Sequence, residues 1–343
     1  MDDLEARSRS VLAGDEAYVV GGAVRDRLLG RPVLDLDVAC RDPERAARAL
    51  GRQVGGVAFL LSDRHGAWRV TVDGSLTVDF TLLRGSIEED LAGRDFSVNA
   101  IAVPLTGGEP IDPFGGERDA ERKVLRPVSG GIFRDDPLRL LRAVRLEDEL
   151  GLRLEAAGEA LVRRDAALVA LPAGERILAE LLRLGPAGWQ RLDQLGLLER
   201  LGGSLRRIGR LGPEPAPELL LVAALGEAVF GLPVSNETRR FARRLLSAEP
   251  PEGDSPRAIH RFRRSTEPWA LEALLLLGRP ELEAAVLASR AADPPAPLLR
   301  GDELGIPAGP EVGRLLARIA EERAAGTIET REEALALVRE ERR

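Results

Sequence analysis

Cysteine and histidine are nearly missing from this 343-residue chain, which has one Cys, Cys40, and two His, His65 and His260. A lone thiol excludes an intramolecular disulfide, and so few Cys and His side chains leave no zinc cluster. A His–Asp pair of the phosphohydrolase type is also excluded, because the histidines are far apart and neither has an adjacent aspartate. Long apolar runs are lacking: no stretch approaches the ~20 residues that cross a bilayer. The first residues, MDDLEARSRS, carry both signs of charge and lack the apolar centre of a signal peptide. The expectation is a cytoplasmic protein with no membrane partner. Lysine is almost absent, Lys123 being the only one, so the basic residues are arginines. A GC-rich coding sequence makes that exchange everywhere, and the bulk bias carries no functional message. The net charge of −7 argues only weakly against a nucleic-acid partner, because local charge is what matters there. No fixed-period repeat and no low-complexity tract is present.

What remains is 44% apolar and 31% charged, the composition of a globular protein. Its length exceeds the roughly 250–300 residues at which single cores stop growing. The most informative stretch is Val19 to Cys40, VVGGAVRDRLLGRPVLDLDVAC. A strand over Ala17–Val20 meets Gly21–Gly22, a helix follows around Ala23–Leu29, and Val33–Ala39 alternates as a half-buried strand should. Asp35 and Asp37 are two apart, so both carboxylates point to one face of that strand. Unpaired neighbouring carboxylates repel, and a hard divalent cation such as Mg2+ resolves the repulsion. The glycine pair offers backbone N–H groups to phosphate. Metal-assisted nucleotidyl transfer is the chemistry this pattern suggests.

A helix over Pro43–Leu50, capped by Asp42, and strand-like runs at Val57–Leu61, Trp68–Val72 and Leu76–Leu82 come next. Ser86–Leu91 opens a helix with Ser86 and Glu89 as a capping box. From about Phe133 the pattern is helical, including Leu138–Leu150, Gly174–Leu184, Glu218–Phe230 and Asn236–Leu246. Breakers stand at Gly212–Pro217 and Pro250–Pro256, and Gly202–Gly203 together with the Pro-rich stretch near Leu211–Pro217 is the favoured inner seam. Three further stretches carry chemistry-bearing residues: EEDLAGRDFSVNAIAV (Glu88–Val103), IDPFGGERDAERKVLRPV (Ile111–Val128) and FRDDPLRLLRAVRL (Phe133–Leu146). In the last, Asp136, Arg139, Arg142 and Arg145 recur every three residues, which keeps neighbours near one helix face.

Together these stretches resemble the class II tRNA nucleotidyltransferase and bacterial poly(A) polymerase family. GGAVRDRLLG with DLD looks like its catalytic signature, GRDFSVNAIA like its ribose-selecting motif, and IDPFGG like the motif coupling head to neck. RDDPLRLLRAVR is similar to its nucleotide-template helix and ERILAEL (Glu175–Leu181) to a fifth motif that braces the neck. The order is kept over residues 17–185, and LRGDELGIPAGPEVGRLLARI with TIETREEAL resembles the family's tail. The resemblance implies an α+β fold: a nucleotidyltransferase-type mixed sheet head (1–128), then an all-helical neck with the template motif (129–205) and a helical, tRNA-binding body and tail (206–343).

By the same resemblance Asp35 and Asp37 are the catalytic residues and hold Mg2+. Gly21, Gly22 and Arg25 contact the phosphates, and Arg94 belongs to the ribonucleotide-admitting site. Asp136 and Arg139 read the Watson–Crick edge of CTP, backed by Arg142 and Arg145, unless the latter two are neck salt-bridge partners. Asp79 is either a third carboxylate or a core-edge residue. Asp95 and Asp112 do orienting or structural work, and neither histidine is a general base. The partner is tRNA, at its 3′ end and acceptor arm. Arg206, Arg207, Arg210, Arg239, Arg240, Arg243, Arg244, Arg261, Arg263 and Arg264 are candidate contacts.

Two departures from the family pattern stand out. The ribose motif begins Gly93–Arg94 where the family has two arginines. Only Leu83, Arg84 and Gly85 separate Leu76–Leu82 from the next helix, where CCA-adding relatives hold a flexible loop that helps switch from CTP to ATP. CC addition with CTP is therefore favoured, with a separate A-adding enzyme finishing the tRNA. Full CCA addition using ATP as well, and a non-catalytic RNA-binding relative, are the alternatives.

Overall fold

The structure is a computed structural model that describes residues 2–63, 66–72 and 76–342, so His65 lies outside the described residues. The chain divides into two compact units, Met1–Leu201 and Gly202–Arg343. The first begins with α1 (Asp2–Val11), β1 (Ala17–Val20), α2 (Gly22–Leu28), β2 (Asp35–Cys40) and α3 (Pro43–Val54). It continues through β3 (Val57–Ser62), β4 (Ala67–Val72), β5 (Leu76–Leu82), α4 (Ile87–Ala92) and β6 (Ala102–Pro104). These strands form one mixed sheet in the order β3-β4-β5-β2-β1-β6, in which only β2 and β5 are parallel neighbours. A parallel pair needs a crossover connection, and here α3, β3 and β4 together supply it.

Pleating sorts the side chains of β2. Leu36, Val38 and Cys40 enter a core with Leu4, Val19, Leu50, Val78 and Phe80, which α1 and α3 cover. Ala39 packs on the opposite face with Val20, Ile87 and Leu91 of α4. Asp35 and Asp37 share that second face at the beginning of the strand, where Asp35 is exposed. Cys40 is buried, and desolvation pushes its thiol up to about 12, so thiolate chemistry has no place near neutral pH. The caps form as their residue types demand: Asp42 accepts from the Arg45 N–H, and Ser86 and Glu89 cap each other.

The first unit closes with α5 (Gly116–Glu121), β7 (Val124–Leu125), α6 (Ile132–Asp135), α7 (Arg139–Leu150), β8 (Arg153–Leu154), α8 (Ala156–Asp165), α9 (Gly174–Leu181), α10 (Pro186–Gln194) and α11 (Leu197–Arg200). Sheet and neck helices are knitted together. Phe96 bridges Pro127, the Ser97 N–H donates to the Arg126 carbonyl at 2.9 Å, and the Val128 N–H donates to that of Asp95 at 3.1 Å. Residue 128 thus lies in a hydrogen-bonded seam rather than a linker.

Gly116 shows how tight that seam is. The Asp112 carboxylate accepts from the N–H groups of Gly116 (2.7 Å) and Glu117 (3.0 Å) and so caps α5. A Cβ on Gly116 would stand 2.1 Å from the Ser97 carbonyl oxygen and 2.9 Å from Ile101 Cδ1. Gly116→Ala is expected to destabilise the first unit by about 3 kcal/mol, the upper end of an overpacking cost. Urea denaturation reads this, and an unchanged midpoint would contradict it.

The second unit is helical: α12 (Pro217–Leu225), α13 (Asn236–Leu246), α14 (Pro256–Thr266), α15 (Ala270–Leu277), α16 (Glu283–Ala291), α17 (Pro310–Ala324) and α18 (Arg331–Glu341). The helix expected over Glu218–Phe230 ends its α form at Leu225, because Gly226 turns to φ 54 and a 3-10 segment follows. Pro250–Pro256 reads as a breaker, yet Pro256 opens α14. Proline is suited to a first turn whose N–H has no partner, and Ser255 caps it. α1 is likewise a helix the sequence pattern did not announce. Among the described residues, no single helix is long and apolar enough to cross a membrane.

Candidate active site

β1 runs antiparallel to β2 with Val20 opposite Asp37, so the turn leaving β1 arrives over the Asp37 carboxylate. Gly21 makes that turn at φ 67, and a Cβ there would stand 3.3 Å from Asp37 Oδ2 and 3.1 Å from Arg94 Nη1. Both the positive φ and the close approach call for glycine. Gly22 follows, its Cβ position 3.9 Å from Asp37 Oδ2 and 3.5 Å from Arg25 Nη2. The glycine pair therefore brings bare backbone up to the carboxylate between two arginines.

Burial pushes the Asp37 carboxyl above the usual carboxylate range. Arg94 opposes the rise, Asp79 and Asp35 add to it, and Arg142 opposes it. Asp35 Oδ1 accepts from the Thr77 hydroxyl at 2.5 Å. Two hard oxygen donors crowded on one face, with their charge incompletely offset, are a donor set that fits a divalent cation. Among the described residues no group of three or more His, Cys, Asp or Glu side chains is arranged to hold a metal ion. Asp79 stands beside Asp37 in register, yet Arg69 binds both its oxygens at 2.7 Å.

A polar relay connects this face to the neck. Arg25 donates to Asp26 from Nε and Nη2, and from Nη1 to Asn99 Oδ1 at 2.9 Å. Asn99 in turn donates to Asp95 Oδ1 at 2.9 Å, and Asp95 Oδ2 lies 2.9 Å from Arg142 Nε on α7. Burial works against the Asp95 charge, but Arg142, Asn99 and the Phe96 N–H outweigh it and hold the carboxyl below its usual range. Arg94 is held by Asp90 at 2.8 Å, and Arg139 Nη2 donates to the Gly93 carbonyl at 2.6 Å. The start of α7 is thereby fastened to the end of α4.

Asp136 and Arg139 line a cleft of about 700 Å³ together with Asp135, Leu171 and Arg176. Asp136 accepts from Arg176 at 2.7 and 3.3 Å and from the Leu138 N–H at 3.2 Å. Burial opposes its charge, but these bonds and Arg139 prevail and keep it below the ordinary carboxylate range. Arg176 is a residue the sequence did not single out. It sits inside the ERILAEL segment already noted, but nothing in its spacing tells it from a solvated arginine.

Of the arginine row, only Arg139 reaches this cleft. Arg142 turns to Asp95. Arg145 is buried, with Nη1 2.7 Å from Glu149 and Nε 2.5 Å from Glu180 on α9, and both ends of its guanidinium are taken. Of the two alternatives for Arg145, nucleotide contact and neck salt bridge, the structure shows the second, an ion pair that links α7 to α9. In the second unit Arg263 is withdrawn as an RNA contact, being buried against Asp293, Ser289 and Glu267. Arg206, Arg240 and Arg264 are exposed, and Arg261 pairs with Glu321. Arg239 and Arg243 lie over the Phe230 ring at 5.8 and 5.9 Å. His260 lies in this second unit, where burial and the charges of Arg264 and Arg263 push its pKa down.

The connection from β5 to α4 is held at its two ends, Leu83 and Ser86. The Leu83 N–H donates to the Cys40 carbonyl at 2.9 Å, and Arg41 Nη1 donates to the Leu83 carbonyl at 3.0 Å. Gly85 turns at φ 69, and Ser86 then caps the helix.

A family model described as the Poly A polymerase head domain matches residues 17–86 and 76–126. The chain is 34% identical to the A-adding tRNA nucleotidyltransferase of Deinococcus radiodurans, over 94% of either chain. It is 32% identical to the CC-adding tRNA nucleotidyltransferase of Thermus thermophilus, over 94% of this chain and 93% of that one. Among solved structures, the Bacillus stearothermophilus CCA-adding enzyme in complex with CTP aligns over 100% of this chain and 98% of its own, with a TM-score of 0.75 and 27% identity. A mixed-sheet head followed by helices is the α+β architecture expected above. The chain belongs to the tRNA nucleotidyltransferase family, with a Poly A polymerase head as its sheet-bearing domain.

Proposed function

We propose that the protein adds two cytidylates from CTP to the 3′ end of tRNA, without a nucleic-acid template, and releases pyrophosphate. The observation that carries this reading is one unit that holds both parts of the reaction. The glycine turn lies over Asp37, and α7, with Asp136 and Arg139, is fastened to the same sheet through Asp95 and Gly93. Asp35 and Asp37 would hold the divalent cation, Mg2+ being the hard ion such oxygens suit. When bound, it supplies activation of the primer 3′-hydroxyl and charge neutralisation on the triphosphate. Gly21 and Gly22 admit the phosphates close to the backbone, and Arg25 and Arg94 flank that approach.

Selection falls to Asp136 and Arg139. An ionised carboxylate only accepts and a guanidinium only donates. Cytosine offers an amino donor beside a ring acceptor, which matches the pair. Uracil presents a carbonyl where Asp136 needs a donor and is refused. Adenine has the same polarity as cytosine, so the pair alone does not separate them. The short connection after β5, held at Leu83 and Ser86, supports a site that keeps a single setting, the one for CTP. A separate A-adding enzyme would then complete the tRNA.

A second reading, A addition, is favoured by the 34% identity to an A-adding relative and by that shared polarity. Incubation with labelled CTP or ATP and tRNA ending at the discriminator base or at CC separates these. CTP incorporated on the first and no ATP on the second is the expected outcome. ATP added to the CC end alone supports the second reading, and both nucleotides added supports CCA synthesis. Bound tRNA with no incorporation would leave only an RNA-binding relative.

A further inference from the structure

Asp79 is a carboxylate in the right place to join the cation site. It pairs in register with Asp37 on the neighbouring parallel strand, and strand alternation turns Asp35, Asp37 and Asp79 to the same face. Neighbouring strands stand about 4.8 Å apart, close enough for one ion to be shared. Arg69 occupies the next position in the row, opposite Asp79 on antiparallel β4. Its Nε and Nη2 bind the two Asp79 oxygens at 2.7 Å each, a fork that satisfies the carboxylate from one side. The Asp79 side chain is 13% exposed and that of Arg69 34%, so water reaches the pair mainly from the arginine side. A carboxylate gripped in this way has fewer lone pairs free to coordinate a cation, although its charge still reaches Asp37.

We infer that Arg69 is a positioning residue that withholds Asp79 from the cation site, leaving two carboxylates rather than three to face a bound divalent ion. The inference rests on the reading of Asp35 and Asp37 as cation ligands. Its chemical sense lies in the shell of Mg2+, which binds through one or two carboxylates and keeps its remaining positions for substrate phosphates and water. A third free carboxylate would compete with the triphosphate for those positions and hold the ion too tightly to exchange. The row thus has a fixed order from the cation outward: a ligand, Asp37, then a silenced acid, Asp79, then its silencer, Arg69.

The test is binding of Mn2+ alone to the full chain, followed by the paramagnetic signal of the free ion, with CTP incorporation measured in parallel. Arg69→Met releases Asp79, so Mn2+ affinity should rise about tenfold, the scale on which groups behind metal ligands act, while incorporation falls. Asp79→Asn leaves the Arg69 cation unpaired beside Asp37, and affinity should fall by about the same factor. The double variant removes both charges and should return close to the parent in both measurements. Structural damage would weaken binding in both single variants, so shifts of opposite sign are the signature. Single variants that shift together, that do not shift, or that bind no Mn2+ alongside a parent that binds none overturn the inference. Asp35→Asn/Asp37→Asn is the separate control. Mn2+ affinity unchanged in it would overturn the ligand reading itself.

Discussion

Asp37→Asn is expected to lower CTP incorporation on the order of 10³-fold while the protein stays folded, since charge stabilisation at the reacting centre is worth about that much. The substitution is nearly isosteric and keeps a polar group under the Gly21 turn. It removes a charge that the fold disfavours: burial first, then Asp79 and Asp35, hold the Asp37 carboxyl above its usual range. The sign follows from linkage. At neutral pH the ionised form is less favourable in the folded chain than in the unfolded one, so its loss should stabilise the cation-free protein. The expected result in a chelator is therefore a melting temperature equal to or above that of the parent, beside nearly abolished activity. A variant that melts lower would mean that Arg94 depends on Asp37 for its place. Incorporation within tenfold of the parent would remove Asp37 from the chemistry.

Asp136→Asn should change which nucleotide is used as well as how fast. The amide can donate where the carboxylate only accepts, so the polarity that refuses uracil is lost. A well-placed base contact is worth about 1–3 kcal/mol of discrimination, which puts the fall in kcat/KM for CTP relative to UTP at roughly 5- to 150-fold. Arg176 sharpens this expectation. It holds Asp136 at 2.7 and 3.3 Å, and the Leu138 N–H takes a further lone pair at 3.2 Å. A carboxylate has about four acceptor sites, so roughly one remains for the base. Competition between CTP and UTP on a tRNA lacking its CCA end measures the change. An unchanged ratio would mean that Asp136 does not read the base.

The arginine row shows where local pattern stops being informative. Three-residue spacing advances each side chain by about 300°, so every step moves 60° round the helix. Across Arg139, Arg142 and Arg145 the drift reaches about 120°, enough to send three like residues to three environments. Arg139 meets the Gly93 carbonyl, Arg142 meets Asp95, and Arg145 is buried against Glu149 and Glu180. The partners of Asp136 and Arg145 on α9 lie 40 and 35 residues away, beyond any spacing argument. Pro256 marks the opposite limit: the same residue ends a helix or begins one, and only the capping Ser255 and the packing of α14 decide which.

The sequence by itself determined the parts whose causes are local. Two-residue alternation set Asp35 and Asp37 on one face, Gly21 and Gly22 set the turn beside them, and Asp42, Ser86 and Glu89 set the caps. These need only bond geometry and neighbours a few residues away. Only the tertiary structure decided which charges are free to act. The parallel pairing of β2 with β5 brought Asp79 to Asp37, and the antiparallel pairing of β5 with β4 brought Arg69 to bind both Asp79 oxygens. Arg176 of α9 gave Asp136, which lies just ahead of α7, its clamp, and Glu180 of α9 took Arg145 out of the site. What a charge can still bind depends on how many of its donor or acceptor sites closer partners have claimed, and partners far apart in sequence become close only in the fold.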